Sequence, residues 1–381
     1  MQWMTYGTVT CAVVLVGLAM GVSLPLVSLR LDAWGYGAFA IGVMAAMPAF
    51  GVLLGARLTG PLAGLCGTRR SLQLCLWLSA LSVAGLALWP SYPLWLLLRL
   101  LLGVSLTVVF VLGESWINQL VSDAWRGRLV ALYGTGFAVS QLCGPLLLGV
   151  LGTTGDAGFW VASALLLLGP WLLAGREGAP QVAGHAGAGQ GLWRFCRGQP
   201  AIAWAVVLFA AFEAMVLTLL PIYLLREDFP QARVLQMTSA VVVGNALLQL
   251  PLGLLADRLP RAALFRGCAL LLLASSLALP ALLHSPLVWP LLLVFGASAG
   301  GLYTLALILV GARYRDAALV RANAHIALLW GIGCLLGPLS TGAGSQWLSG
   351  HVLPWSMAAG ALLLLALAAR RDAFVLRGAA E

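Results

Sequence analysis

Lysine is absent from the 381 residues, and all 21 basic side chains are arginine. That absence closes off whole chemistries. A Schiff base to retinal or pyridoxal phosphate needs a lysine amine, and a Walker A loop needs its lysine on the nucleotide phosphates. Uphill work by this chain would therefore draw on an ion gradient or on a separate ATPase subunit. Charge of either sign is scarce as well. Only 9% of residues are charged, against roughly a quarter in a soluble domain. The seven cysteines (Cys11, Cys66, Cys75, Cys143, Cys196, Cys268 and Cys334) form no C-x-x-C pair and lie mostly within apolar runs, as small packing residues do. The four histidines, His185, His284, His325 and His351, show neither metal-ligand spacing nor an H-E-x-x-H motif, so no metal and no cofactor is expected.

What the chain has in abundance is apolar length. Hydrophobic residues make up 61%, and the mean hydropathy is +0.99. Spans long enough to cross a bilayer recur at 6–29, 37–62, 71–89, 94–121, 129–151, 158–174, 201–225, 235–256, 264–283, 287–311, 319–341 and 353–369. The expected fold is therefore an all-α polytopic membrane protein of twelve helices. The first apolar run has no basic region before it and is read as a retained helix, not a cleaved leader.

Arginine distribution orients the spans. With the N-terminus inside, sixteen arginines fall in the inner connections and the C-terminal tail, three (Arg30, Arg226 and Arg233) fall outside, and Arg57 and Arg99 lie within spans. The positive-inside rule then puts both termini in the cytoplasm of a bacterial inner membrane. The net charge of +9 follows this loop pattern rather than a single patch, so nucleic acid is not an expected partner. Gly175 to Gln199 is the one long polar connection, Gly/Ala-rich as a flexible linker is. It separates residues 1–174, an N-terminal six-helix bundle, from 200–381, a C-terminal six-helix bundle with a short tail.

The halves repeat each other. A shift of 193 residues carries Gly60 onto Gly253, Gly103 onto Gly296, Arg128 onto Arg321 and Gly144-Pro145 onto Gly337-Pro338. A shift of 196 lays LPLVSLRLD, from Leu24, over LPIYLLRED, from Leu220. Internal repeats with a site between them are how many transporters achieve alternating access.

The chain resembles the major facilitator superfamily over essentially its full length. GLLADRLPR, from Gly253 through Asp257 and Arg258 to Arg261, is similar to that family's G-x-L-A-D-R-x-G-R loop, with Pro260 in place of a glycine. The matching loop of the first half, GPLAGLCGTRR from Gly60, has Gly64 and Leu65 where the family has Asp and Arg. Arg99-x-x-x-Gly103 is similar to the family's R-x-x-x-G pattern, and the Gly-Pro pairs are similar to those of drug antiporters. GESWIN, Gly113 to Asn118, followed by RGRLVALY from Arg126, resembles the YcaD-like group of small bacterial members. The resemblance implies two pseudo-symmetric six-helix bundles that rock about a central site. It also implies that Asp257 acts as a conformational latch, reaching the start of the fifth span near Arg126 and Arg128, or else only shapes its own loop through Arg258 and Arg261.

Four ionisable residues lie inside spans, each at a cost of roughly 2.5–3.5 kcal/mol near the bilayer centre. Glu213 is midway along its span. It reads as a protonation or substrate-binding carboxylate, or else as a protonated group hydrogen-bonded to a neighbouring helix. Removal from water favours the neutral form of any carboxyl group, the property a proton-loading site needs. Arg99 reads as a cavity cation, or as a side chain snorkelling to the outer interface. Arg57 and Glu114 sit at similar depth and are candidates for an ion pair supporting a gate or the fold, or for direct substrate contact. Gln141, Tyr223, Asn245, Gln249, Tyr303, Thr304 and Trp330 are further cavity candidates, each also explicable as helix–helix packing.

These readings lead to one expectation. The chain is a secondary transporter of a small organic solute, not an enzyme, proton-coupled and monomeric, with export favoured over import. An uncoupled facilitator, or a membrane sensor that kept the fold and lost transport, is the alternative.

Overall fold

The computed structural model describes residues 3–120, 126–175, 191–256, 258–314, 316–348 and 350–369. Side chains at some helical positions, among them Asn118, Arg126, Arg128 and Gln249, lie outside the described set, as do the surroundings of Gly253. The described backbone is helical and contains no strand. Hydrocarbon offers the backbone no hydrogen-bond partner, so a spanning segment satisfies its own N–H and C=O groups within a helix.

The first unit, Met1–Ala186 with Phe229–Ser239, carries α1 (Trp3–Ala33), α2 (Ala38–Cys66), α3 (Thr68–Leu88), α4 (Tyr92–Leu120), α5 (Arg126–Leu151) and α6 (Ala157–Leu172). The second, Gly187–Asp228 with Ala240–Glu381, carries α7 (Leu192–Gly198), α8 (Pro200–Thr218), α9 (Leu220–Arg226), most of α10 (Gln231–Ala256), α11 (Arg261–Leu282), α12 (Val288–Arg313), α13 (Asp316–Trp347) and α14 (Val352–Ala368). Taking α8 and α9 as one interrupted span, and α7 as a connector, gives the twelve spans expected. Among the described residues, eight helices are individually long and apolar enough to cross a bilayer, and α6 and α14 are shorter apolar helices.

Two details depart from the sequence reading. The segment read as a flexible linker holds a helix at its end, α7, whose Phe195 packs against His325 of α13 at 5.3 Å between ring centroids. Residues 176–190 of that segment lie outside the described residues. The span read as continuous over 201–225 is interrupted at Leu219. Pro221 has no N–H to give to Leu217, two residues before the break, so the ladder misses a rung there. Its repeat partner Pro25 sits inside an unbroken α1.

The two units repeat the same contacts, which explains the glycine landmarks. In the first, Gly51 of α2 lies against the Leu100 carbonyl of α4, and Gly103 of α4 against the Pro48 carbonyl of α2. In the second, 193 residues on, Gly244 of α10 lies against the Leu293 carbonyl of α12, and Gly296 against the Val241 carbonyl. The Gly-Pro pairs mark a second repeated crossing. Gly144 of α5 meets Gly21 of α1, and Gly337 of α13 meets Ala211 of α8. Without a hydrophobic drive between helices in lipid, such backbone approach is where packing energy comes from. Gly103→Ala would push a methyl into the Pro48 carbonyl oxygen. We expect a loss of about 1–3 kcal/mol, the usual range for overpacking, read as earlier thermal unfolding in detergent. An unchanged melting temperature would mean that α2 and α4 separate without cost.

Polar clips close the ends of the units. Arg30 at the end of α1 reaches Asp156, just before α6, at 2.8 Å. The pair is partly exposed, so it contributes no more than about 1 kcal/mol.

Candidate functional site

Glu213 lies in α8, the most deeply buried of the eight long apolar helices, and its own side chain is half-buried. Among the described residues no arginine or histidine pairs with it. One turn earlier on the same face is Phe209, and residues four apart on a helix are neighbours. Phe209 stacks on Tyr303 of α12 at 4.9 Å and meets Trp330 of α13 edge-on at 5.4 Å. Tyr303 and Trp330 also meet edge-on, at 5.0 Å. Cys334, one turn beyond Trp330, donates to the Ala210 carbonyl at 3.5 Å and lies within electrostatic range of Glu213. Three helices thus bring an aromatic cluster and a carboxyl group together. Tyr303 and Trp330 were legible as candidates in the sequence. Phe209 was missed, though its spacing of four from Glu213 was the available signal.

The first unit holds the opposite charge. Arg99 of α4 is 1% exposed, and its Nε and Nη2 have no hydrogen-bond partner among the described residues. Snorkelling to the interface does not describe a side chain enclosed this completely. Its neighbours one turn away on α4 are themselves closely packed. Trp95, one turn earlier on α4, is also 1% exposed, and Gly103, one turn later, lets α2 approach.

Other candidates go elsewhere. Arg57 and Glu114 are both exposed, and no ion pair joins them, so the pairing expected from their depth is not formed. Tyr223 belongs to a clip at the far end of its span, where its hydroxyl bonds His351 Nδ1 at 2.9 Å. His351 in turn lies 3.5 Å from Glu227, and His284 lies 3.9 Å from it. Asn245 packs against Gly300 of α12, and Thr304 bonds the carbonyl of Gly300 within its own helix at 3.0 Å. Gln141 is buried where α5 crosses Gly21. In the loop motif, Arg261 Nε donates to the Ala256 carbonyl at 3.4 Å, closing the end of α10 as cations at helix C-termini do, while Arg258 is exposed. Asp257 and the side chains of Arg128 and Gln249 fall outside the described residues, as do the surroundings of Gly253, and with them the latch expected of Asp257.

Two units of six spans each, repeating the same helix contacts, are the architecture of a class of membrane transporters. The sequence profile of the Major Facilitator Superfamily matches residues 9–242 and 231–377. The chain belongs to that family. It falls in the YcaD-like group, and as a transporter it is not an enzyme. It is 28% identical to an MFS-type transporter of Enterobacter sp. (strain 638), over 95% of this chain and 94% of that one. It is 27% identical to the MFS-type transporter YcaD of Escherichia coli O139:H28, over 89% and 88% of the two chains. Among solved structures it is similar in fold to a D-xylose-proton symporter, with a TM-score of 0.77 and 18% identity, covering 98% of each chain. It is also similar to the nucleoside transporter NupG, with a TM-score of 0.74 and 15% identity, covering 97% of this chain and 98% of that one.

Proposed function

We propose that this transporter moves a small organic solute across the bacterial inner membrane by proton-coupled alternating access, with Glu213 as the coupling carboxyl and export as the favoured direction. The observation that carries the reading is Glu213 itself. It is an acid placed in mid-span at an energetic cost, without a cationic partner among the described residues, one helical turn from Phe209 and so beside the cluster that Phe209 forms with Tyr303 and Trp330. A structural carboxyl would be tied to a neighbouring helix. A group that must load and release a proton has to stay uncommitted. The aromatic cluster of the second unit offers flat apolar surface for the solute. Within the first unit, Arg99, whose Nε and Nη2 have no partner among the described residues, is a cation suited to an anionic group. The working unit is a monomer with both termini in the cytoplasm.

The test is solute accumulation in inverted vesicles with an imposed proton gradient, screened across solute classes. Accumulation that follows the gradient and collapses with an uncoupler supports the proposal. Uptake indifferent to the gradient would make the chain an uncoupled facilitator. Topology is tested separately. Reporter fusions at Ala379 and within 184–190 are expected to be active only with a reporter that requires the cytoplasm. Activity of a periplasm-requiring reporter at either place would overturn the orientation.

A further inference from the structure

A second feature lies outside the transport site, on the flank of the first unit. α3 and α6 run against each other closely where Gly169 leaves room for the Leu76 side chain, and Ser163 ties them by donating to the Ala80 carbonyl at 2.9 Å. Toward the start of α3 and the end of α6 they part, leaving a cavity of about 390 Å³ lined by Arg70, Gln73, Leu74, Trp77, Pro170, Trp171 and Ala174. Its polar end is cationic. Arg70 is exposed in the first turn of α3, and among the described residues no acidic side chain lines the groove. Gln73 holds the floor by donating to the Pro170 carbonyl at 3.1 Å. The rest is apolar, with Leu74, Trp77 and Trp171 at 53%, 41% and 72% exposure. From Arg70 to Trp77 is seven residues, or about 10 Å along a helix. That is the reach from a headgroup phosphate to the upper part of an acyl chain. Tryptophan is the residue that favours this depth.

We infer that this groove is a binding site for one anionic phospholipid, its headgroup on Arg70 and an acyl chain along Leu74, Trp77 and Trp171. The occupant is a lipid rather than a soluble anion because the cationic end opens directly onto an apolar channel at interfacial depth. Basic pockets between membrane helices recognise anionic headgroups in this way. The inference is independent of what the protein transports.

Native mass spectrometry of the full chain, released from detergent micelles with phosphatidylglycerol or phosphatidylcholine added, tests it. The wild type is expected to retain one phosphatidylglycerol in preference to phosphatidylcholine. Arg70→Gln should reduce that preference about fivefold, the factor one arginine near an anionic surface supplies. Trp171→Ala should weaken retention of both lipids and leave the preference standing. Arg266→Gln, at an exposed arginine of α11 outside the groove, should change neither. Equal retention of the two lipids by the wild type would overturn the inference, as would an equal loss of preference in Arg266→Gln and Arg70→Gln. A folded Arg70→Gln protein that keeps the full preference would overturn it too.

Discussion

Glu213→Gln is expected to abolish gradient-driven accumulation while leaving exchange or solute binding partly intact. The substitution keeps the size of the side chain and its capacity for hydrogen bonds and removes only the titrating group. One coupled proton under a gradient of one pH unit supports up to about tenfold accumulation, since a pH unit is about 1.4 kcal/mol. In the variant that ratio should fall to about one. The proposed site binds through the aromatic faces of Phe209, Tyr303 and Trp330, whose mutual packing at 4.9 to 5.4 Å does not involve the carboxyl. A truncation of the cluster, Trp330→Ala, should therefore show the converse pattern of weakened binding with coupling retained in whatever transport remains. Concentrative transport surviving in Glu213→Gln would make the carboxyl structural and put coupling elsewhere.

Arg99→Met is expected to stabilise the protein and inactivate it. A guanidinium at 1% exposure, with Nε and Nη2 unpartnered among the described residues, gains too little to offset its desolvation. An apolar chain of similar length in the same enclosed position should gain about 1–3 kcal/mol by the precedent of buried charges replaced with hydrophobic residues. Transport should fall at least about tenfold, because a group retained at a cost to stability is retained for its activity. Thermal unfolding in detergent and vesicle transport, measured on the same preparation, separate the outcomes. A destabilised but active variant would show Arg99 to be a packing residue of the first unit.

The fold was legible because the bilayer imposes it. Twelve apolar stretches, arginines gathered on one set of connections and a 193-residue repeat each follow from a rule that needs no tertiary information, and two of the glycine pairs that established the repeat, Gly103 with Gly296 and Gly144 with Gly337, are helix contacts themselves. The break at Leu219 was visible as Pro221 but could not be foreseen from the proline alone, since Pro25 at the equivalent position leaves α1 continuous. What decides between them is packing around the helix, which one sequence does not display. The site was legible residue by residue but not as an assembly. Depth along a span put Arg57 opposite Glu114, yet depth says nothing about the direction a side chain faces, and the two do not pair. Tyr223 looked like a cavity residue for the same reason, and its partner His351 is 128 residues away. Glu213 stood out by cost alone. The aromatic cluster beside it needed α12 and α13 to be brought to α8 before Phe209 could be recognised.

The central claim is that solute movement and proton movement are one event. Purified protein in liposomes loaded with a pH-sensitive dye measures this directly, with candidate solutes added outside and no gradient imposed. At least one solute class should change the internal pH in wild-type liposomes, and the same solute should leave it unchanged in Glu213→Gln liposomes that still exchange that solute. Solute entering wild-type liposomes with no accompanying change in pH would contradict the account.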